Sequence, residues 1–238
     1  MFLLVVLSSN VFALEEIYNE DFSDKKIVEK WGLLYIQDEN EEFVWESNHK
    51  VFTINDKNQL VANTSDVNKN CILKFTEKQS KKVIENEGYS YAYDVKFKVP
   101  STELPSSGGK SLAYILPQGN LDYLIRFNYQ AWNDKYVLDL IVPEINPNWA
   151  PVESKKIYFE FDKFYTVRVE VRATDNPDSQ NDQINIKIYL DEGSGFSKHP
   201  IIDYTENKDF TDIVGAPGIG GRISDVIYEE VNIYKITD

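Results

Sequence analysis

Two tryptophans lie in segments where no buried strand accounts for an aromatic residue. Trp132 stands beside an Asn-Asp turn signal, and Trp149 stands in a short loop rich in proline and asparagine. An aromatic ring packs on the apolar face of a sugar ring, while amide, guanidinium and carboxylate groups hydrogen-bond the sugar hydroxyls. Arg126, Asn128 and Asp139, in the flanking segments, carry such groups. The pattern favours a carbohydrate site; the alternative is that both tryptophans pack within their own loops.

Few residues are suited to metal or nucleophilic chemistry. The two histidines, His49 and His199, and the single cysteine, Cys71, leave little for a zinc site or for a serine or cysteine triad. Cys71 lies in an apolar segment and is predicted to be a small buried side chain rather than a nucleophile. An ion pair of Asp139 with Arg126 would suit a structural role better than that of a general acid.

The elements that must position these side chains alternate between apolar and polar residues with a period of two. The clearest strand segments are 89–99, 121–130, 167–172 and 184–188, each bounded by turn-forming residues. More than ten short segments of this kind, with sparse helix, predict an all-β chain folded as an antiparallel sandwich or barrel. No linker or internal repeat divides the chain, so residues 14–238 are predicted to form one domain.

Hairpin register indicates which polar side chains meet. If the hairpin around Trp132 pairs Gln130 with Lys135, Arg126 comes opposite Asp139, and such cross-strand pairs interact directly. Both side chains should then lie on the sheet side opposite the apolar residues of the same strands.

The next hairpin is expected to place Val171 opposite Ile184 and to bring Glu170 near Lys187. The two hairpins together predict one exposed sheet surface that carries charged and amide side chains: Asp94, Lys96, Arg126, Asn128, Asp139, Arg168, Glu170 and Lys187. A solvated surface that resists aggregation is the alternative role for these residues.

The candidate ligand-binding residues are Arg126, Asn128, Trp132, Asp139, Trp149, Arg168 and Glu170.

Composition excludes several partners. The 238 residues include 25 lysines and arginines against 39 aspartates and glutamates, a formal net charge of −14. This charge repels nucleic acid and anionic lipid, so neither is an expected partner. A chain with 42% hydrophobic residues has enough apolar material for a substantial core.

The first thirteen residues are predicted to be an export signal. A short apolar run at 2–7 is followed by Val11-Phe12-Ala13, in which Val11 and Ala13 fit the −3/−1 rule for signal peptidase, although no basic residue precedes the run. The run is too short to span a membrane, which needs about 20 apolar residues. A secreted, periplasmic or cell-surface location follows, and the lack of possible internal disulfides favours a bacterial source.

Segments at both ends of the chain resemble a known family. Glu-Asp-Phe at 20–22 is followed by Trp31, and the glycine-rich stretch 215–221 leads into the strand segment 226–234. These features, together with the strand segment 164–171, are similar to the concanavalin A-like lectin/glucanase jelly rolls, which include laminin G-like, carbohydrate-binding and 3-keto-disaccharide hydrolase-like modules. The resemblance implies an antiparallel jelly-roll sandwich and does not by itself define a function.

The same resemblance implies a structural Ca²⁺ where the first and last strands lie side by side. Glu20, Asp21, Glu229 and Glu230 would supply carboxylate oxygens there, and Ca²⁺ takes six to eight oxygen ligands. The alternative is that Glu229 or Glu230 faces solvent while Gly218–Gly221 forms a turn.

Catalysis has little support in the motifs. A glucanase of this fold would carry Glu-x-Asp-x-x-Glu on one strand for its acid and nucleophile, and the sequence has no such run. Neither histidine lies in the Gln-Ile-His-like strand of the lyases of this fold. The leading prediction is therefore an exported carbohydrate-binding domain without catalysis. A glycoside hydrolase or polysaccharide lyase of the same fold, and a cell-surface adhesive module, are the alternatives.

Overall fold

The computed structural model describes residues 13–27, 31–36, 43–44, 51–65, 70–74, 90–118, 123–146, 148–174, 183–207 and 217–237. Its strands, in chain order, are β1 (Ala13–Glu20), β2 (Gly32–Ile36), β3 (Phe43–Val44), β4 (Phe52–Ile54), β5 (Leu60–Ala62), β6 (Asn70–Lys74), β7 (Tyr91–Lys98), β8 (Gly109–Gln118), β9 (Tyr123–Gln130), β10 (Lys135–Ile141), β11 (Glu153–Ile157), β12 (Tyr165–Thr174), β13 (Gln183–Asp191), β14 (Ile202–Asn207), β15 (Gly218–Gly221) and β16 (Val226–Thr237). Within these residues, no helix is long and apolar enough to cross a membrane.

The strands form two antiparallel sheets. Sheet 1 has the order β14-β13-β12-β7-β16-β5-β4, with β1 also paired to β16, and sheet 2 has the order β11-β10-β9-β8-β15-β6-β2-β3. Apolar side chains of both sheets meet in one core, because each strand turns every second residue toward the other sheet. The predicted antiparallel sandwich is confirmed.

Alternation accounts for the strands that bear the candidate residues. In β12, Val167, Val169 and Val171 are buried in the core while the residues between them are half-buried. In β9, Phe127 is fully buried in the same core, where its ring meets that of Phe97 edge-on at a centroid distance of 4.8 Å. The polar residues of both strands therefore project from the outer faces of the sandwich.

The first hairpin has the predicted register. Lys135 pairs with Gln130, and Asp139 pairs with Arg126. A 3-10 helix, Ala131–Asn133, closes the hairpin tip. The buried residues determine which face each residue of the two strands occupies. The short tip leaves the strands little freedom to shift in register.

The second hairpin departs from the predicted register. Glu170 does pair with Lys187, but Val171 pairs with Ile186 and not with Ile184, a difference of two residues. A slip of two residues leaves the apolar and polar faces unchanged, so the alternation alone cannot distinguish the two pairings.

The glycine-rich stretch predicted to form a turn is a buried strand. Gly218–Gly221 forms β15, which pairs with β8 on one side and β6 on the other. A Cβ on Gly220 would overlap the carbonyl oxygen of Cys71. The missing side chain lets the backbones of β15 and β6 approach closely at this position, which is a known use of glycine in strands. The prediction of a turn was wrong for these four residues.

Three tyrosines connect the two sheets through the core. Tyr228 of β16 donates its hydroxyl hydrogen bond to the β15 carbonyl of Gly220 at 2.5 Å and accepts one from the Gly220 amide at 3.1 Å. Tyr93 of β7 donates to the Gly218 carbonyl at 3.3 Å, and Tyr91 donates to the Pro117 carbonyl. Burial raises the pKa of all three phenols, so each stays protonated and able to donate.

Candidate functional site

The predicted single charged surface is divided between two opposite faces. Arg126 and Asp139 lie on β9 and β10 of sheet 2, whereas Arg168 and Glu170 lie on β12 of sheet 1. The prediction of one continuous surface was wrong, because alternation shows which side of a strand is polar but not which sheet the strand joins. The candidate ligand-binding residues therefore do not converge on one groove.

On the outer face of sheet 2, Asp139 is the centre of a polar row. Arg126 donates to the Asp139 Oδ2 from Nε at 3.1 Å and from Nη2 at 2.8 Å, and the Ser154 hydroxyl donates to Oδ1 at 2.7 Å. Asp139 has no exposed surface, while the Arg126 side chain is 18% exposed. The carboxylate therefore holds Arg126 in place, and of the two side chains only that of Arg126 is partly open to solvent.

Trp149 covers the far end of the same face. Its ring packs on a buried apolar cluster formed by Ile72, Tyr114, Leu116, Leu124 and Ile141. The backbone φ of Trp149 is 59°, a conformation that is unusual for a bulky residue. The ring contacts and a hydrogen bond of 2.9 Å from the Trp149 amide to the Asn146 carbonyl hold it there. Trp149 is only partly buried against this cluster, so its role as a ligand platform stays a prediction.

Trp132 has the opposite environment. It lies in the 3-10 helix at the hairpin tip and is 65% exposed, the largest exposure among the described large hydrophobic residues. Behind it, the Tyr129 hydroxyl donates to Asp134 Oδ1 at 2.8 Å. Asp134 has a φ of 47°, a left-handed conformation that aspartate adopts more readily than most residues. The bond between Tyr129 and Asp134 thus braces the tip beneath the exposed Trp132 ring.

Asn128 lies between the tip and Arg126. It pairs with Val137 as predicted and is 7% exposed. The outer face of β9 and β10 thus runs from the apolar cluster under Trp149, through Arg126 and Asn128, to the exposed ring of Trp132. Of the five candidates on this face, Trp132 is the one that offers most surface to a ligand.

On the outer face of sheet 1, Arg168 is enclosed by aromatic rings and a carboxylate. It forms a two-pronged ion pair with Asp94, from Nε to Oδ1 at 2.8 Å and from Nη2 to Oδ2 at 2.7 Å. Its guanidinium carbon lies 4.6 Å from the ring centroid of Phe196 and 5.5 Å from that of Tyr234. Burial raises the pKa of Asp94 despite the ion pair. Arg168 therefore has a structural environment. Phe196 lies in a loop without periodicity, so no sequence pattern indicated its contact with Arg168.

Glu170, the other candidate on this face, is half-buried beside Arg172. The distance from its Oε2 to Arg172 Nη2 is 3.7 Å, and Lys187 lies opposite it on β13. Pairs of this kind on a solvated sheet contribute little to stability and are consistent with the solubility role.

The four carboxylates predicted to hold Ca²⁺ each have another partner nearby. Glu20 accepts hydrogen bonds from the Tyr18 hydroxyl at 3.0 Å and the Phe22 amide at 2.9 Å, and Asp21 accepts one from the Ser23 amide at 3.0 Å.

The carboxylates of the last strand also have partners. Glu229 is paired with Lys96 at 2.5 Å, which lowers the pKa of Glu229. Glu230 accepts from Asn19 at 3.1 Å and Asn232 at 2.9 Å. The predicted first–last strand pair exists, with Glu20 opposite Val231. Over the described ranges, however, no three His, Cys, Asp or Glu side chains form a group that would hold a metal ion. The four residues do not fit a shared Ca²⁺ site.

Comparison with protein-family models and with curated protein sequences gives no match. Among solved structures, the chain is similar to the metal-free carbohydrate recognition domain of Emp46p, with a TM-score of 0.53 and 12% identity over 93% of this chain and 97% of that one. It is also similar to the exoplasmic/lumenal domain of VIP36 in its Ca²⁺/Man-bound form, with a TM-score of 0.50 and 9% identity over 79% of this chain and 82% of that one. The chain has the concanavalin A-like jelly-roll fold, as the resemblance predicted.

Proposed function

We propose that this chain is a carbohydrate-binding, lectin-like domain whose ligand, a poly- or oligosaccharide, contacts the hairpin tip at Trp132. The observation that carries the proposal is the 65% exposure of this ring on a tip that is braced by other side chains. Such an exposed aromatic surface on a rigid support suits stacking against a sugar. The two similar structures, both domains named for carbohydrate recognition or bound to mannose, support the same class of ligand.

Arg126 and Asn128 are proposed as the polar partners of Trp132 on the same face. Asp139 is a positioning residue in this proposal, because it has no exposed surface and both its oxygens already accept hydrogen bonds. Arg168 and Glu170 lie on the opposite sheet and have no part in it.

Calcium has no assigned role in the proposed site. VIP36 has a Ca²⁺-bound form, but any Ca²⁺ bound by this chain would need oxygen ligands other than the four carboxylates predicted from the sequence. No step of the proposed sugar binding depends on a metal.

Function outside the cytoplasm is proposed as well. The apolar run at 2–7 and the Val11-Phe12-Ala13 site support it, although residues 1–12 lie outside the described part of the chain. Cleavage after Ala13 would leave Leu14 through Glu20 paired with β16. We expect mass spectrometry of the exported protein to give an N-terminus at Leu14; an intact N-terminus would contradict this processing site.

Replacing Trp132 tests the carbohydrate proposal. We expect Trp132→Ala to raise the Kd for the preferred polysaccharide about tenfold or more, which corresponds to ~1.4 kcal/mol of binding free energy. The unfolding free energy should change by no more than about 1 kcal/mol, since the ring is exposed and lies away from the core. Affinity electrophoresis in gels containing soluble glucan, galactan or mannan, with pull-downs on the insoluble forms, measures the binding.

Ile145→Ala is the matched control, because Ile145 is 51% exposed in the loop at the other end of β10. It should bind like the parent. A Trp132→Ala variant that unfolds would mean that the ring is structural, and one that binds like the parent would place the ligand elsewhere. Chromatography of the sugars after incubation distinguishes binding from hydrolase or lyase activity.

A further inference from the structure

A second exposed aromatic side chain lies near the hairpin tip. Tyr158 is 62% exposed, close to the 65% of Trp132. Its neighbours Ile157 and Phe159 are 8% and 4% exposed and pack in the core. Because successive residues of an extended chain point to opposite sides, the Tyr158 ring is directed away from the core.

The strand register places Tyr158 beside the Trp132 hairpin. Tyr136 pairs with Ile157, so Lys135 and Tyr158 occupy the next position along the two chains. Lys135 also pairs with Gln130 to close the tip that carries Trp132. Neighbouring strands are about 4.8 Å apart, so the Tyr158 backbone lies roughly one strand spacing from the hairpin. A ligand of more than one sugar ring can therefore reach both aromatic rings.

Polar groups surround the Tyr158 ring. A hydrogen bond to the Glu160 carboxylate, together with the negative charges of Glu160 and Glu192, raises the pKa of Tyr158, which keeps the phenol protonated. The Lys163 Nζ lies 5.9 Å from the ring centroid. Carboxylates beside an exposed ring are well placed to accept hydrogen bonds from sugar hydroxyls. Two carboxylates against one ammonium group, on a chain of net charge −14, disfavour an acidic sugar.

A pocket lies in the loop that carries Glu192, whose negative charge acts on Tyr158. Its volume is about 430 Å³, and it is lined by Leu190, Glu192, Ser194, Gly195, Phe196, Ser197 and Ile201. The loop that forms it is braced, since Asp191 Oδ1 accepts the amides of Gly193 at 2.7 Å and Gly195 at 2.8 Å. The ring of Phe196 is held against Arg168. The pocket thus combines an aromatic ring, hydroxyl groups and a carboxylate on a fixed loop.

We propose that Tyr158 and the pocket beside Glu192 form a second subsite, so that the domain binds a neutral oligosaccharide of several units rather than a single sugar. This inference rests on the proposed carbohydrate function, and it adds the size and charge of the ligand. One chain of sugars contacts Trp132 at the tip and continues across Tyr158 toward the pocket.

A length series of oligosaccharides tests the inference. The probes are neutral gluco-, galacto- and manno-oligosaccharides from one to six units, with an oligogalacturonate of six units as the acidic probe, measured by isothermal titration calorimetry. For the parent protein, we expect the Kd for one neutral series to fall about tenfold or more between one and six units. The acidic hexamer should bind at least tenfold more weakly than the neutral hexamer.

Variants assign the effect to the second subsite. Tyr158→Ala should raise the Kd of the neutral hexamer about tenfold and change the Kd of the monosaccharide less than twofold. Tyr158→Phe should bind like the parent if the ring face makes the contact. Glu192→Ala should also weaken only the longer probes, and Ile145→Ala should bind all of them like the parent. Thermal melts show whether each variant is folded.

The outcomes separate this inference from the proposed function. If Trp132→Ala loses binding while Tyr158→Ala matches the parent at every length, the second subsite does not exist and the lectin-like function stands. If the acidic hexamer binds as well as the neutral one, the charge preference is wrong. If the parent binds no probe, both the proposed function and the subsite are overturned.

Discussion

Gly220→Ala should lower the unfolding free energy by about 3 kcal/mol or more, at the upper end of the range for overpacked cores. The added methyl group would overlap the Cys71 carbonyl oxygen and would lie 3.0 Å from the Ile72 Cα. These atoms belong to the backbone of β6, so no side-chain rotation relieves the overlap. For a chain of this size the loss corresponds to a fall in Tm of roughly 6–12 °C.

Thermal and urea unfolding of the purified variant measure the effect. Gly109→Ala is the control, since a Cβ there would lie 3.3 Å from the Tyr129 carbonyl oxygen at an exposed strand end. We expect it to change the unfolding free energy by less than about 1 kcal/mol. A Gly220→Ala protein with the parent's Tm would contradict the close packing of β15 against β6.

Asp139→Ala should lower the unfolding free energy by about 3–5 kcal/mol, the usual cost of removing one partner of a buried ion pair. The change leaves Arg126, whose side chain is only 18% exposed, without its carboxylate, and it leaves the Ser154 hydroxyl without this acceptor. Urea denaturation measures the loss. Binding should fall as well, because Arg126 would no longer be held on the outer face.

The exposed pair of Lys155 with Glu153 is the matched comparison, with side-chain exposures of 47% and 38%. Glu153→Ala should cost less than about 1 kcal/mol. The double variant Arg126→Ala with Asp139→Ala should be more stable than the sum of the single changes predicts, since neither charge is then left alone. Additive losses would show that the two side chains do not depend on each other.

The sequence predicted those features that depend on alternation within one hairpin. The pairing of Arg126 with Asp139 followed from a short tip and from the burial of Phe127, and both are local properties. The pairing of Val171 was wrong by two residues, because both pairings keep the same faces buried. Local pattern thus determines the face of a strand more reliably than its partner residues.

Features that depend on distant parts of the chain were missed or misplaced. Gly218–Gly221 was expected to turn, because glycine is common in turns, and the need for close approach to β6 is visible only once the strands are placed. Arg168 was assigned to the same surface as Arg126, although their strands join different sheets. Trp149 packs on an apolar cluster whose members come from four separate strands, so no local pattern indicated this contact.

Tyr158 illustrates the same point for the candidate site. It lies between two buried residues in a short segment, and no motif in the sequence marked it as a candidate. Its exposure and its place beside the hairpin tip follow from the pairing of β10 with β11. The apolar residues Ile157 and Phe159 on either side of Tyr158 do alternate as in a strand. The segment is too short for this alternation alone to predict an exposed Tyr158.

The pairing of β1 with β16 has a mechanical consequence. Ala13 lies opposite Thr237, so the first and last described residues lie at the same end of this strand pair. A tensile force applied between these two ends would peel β1 from β16 and load the interstrand hydrogen bonds one after another, rather than shearing them all at once. Attachment through one end only would not peel these two strands apart when a glycan bound at the proposed Trp132 site is pulled.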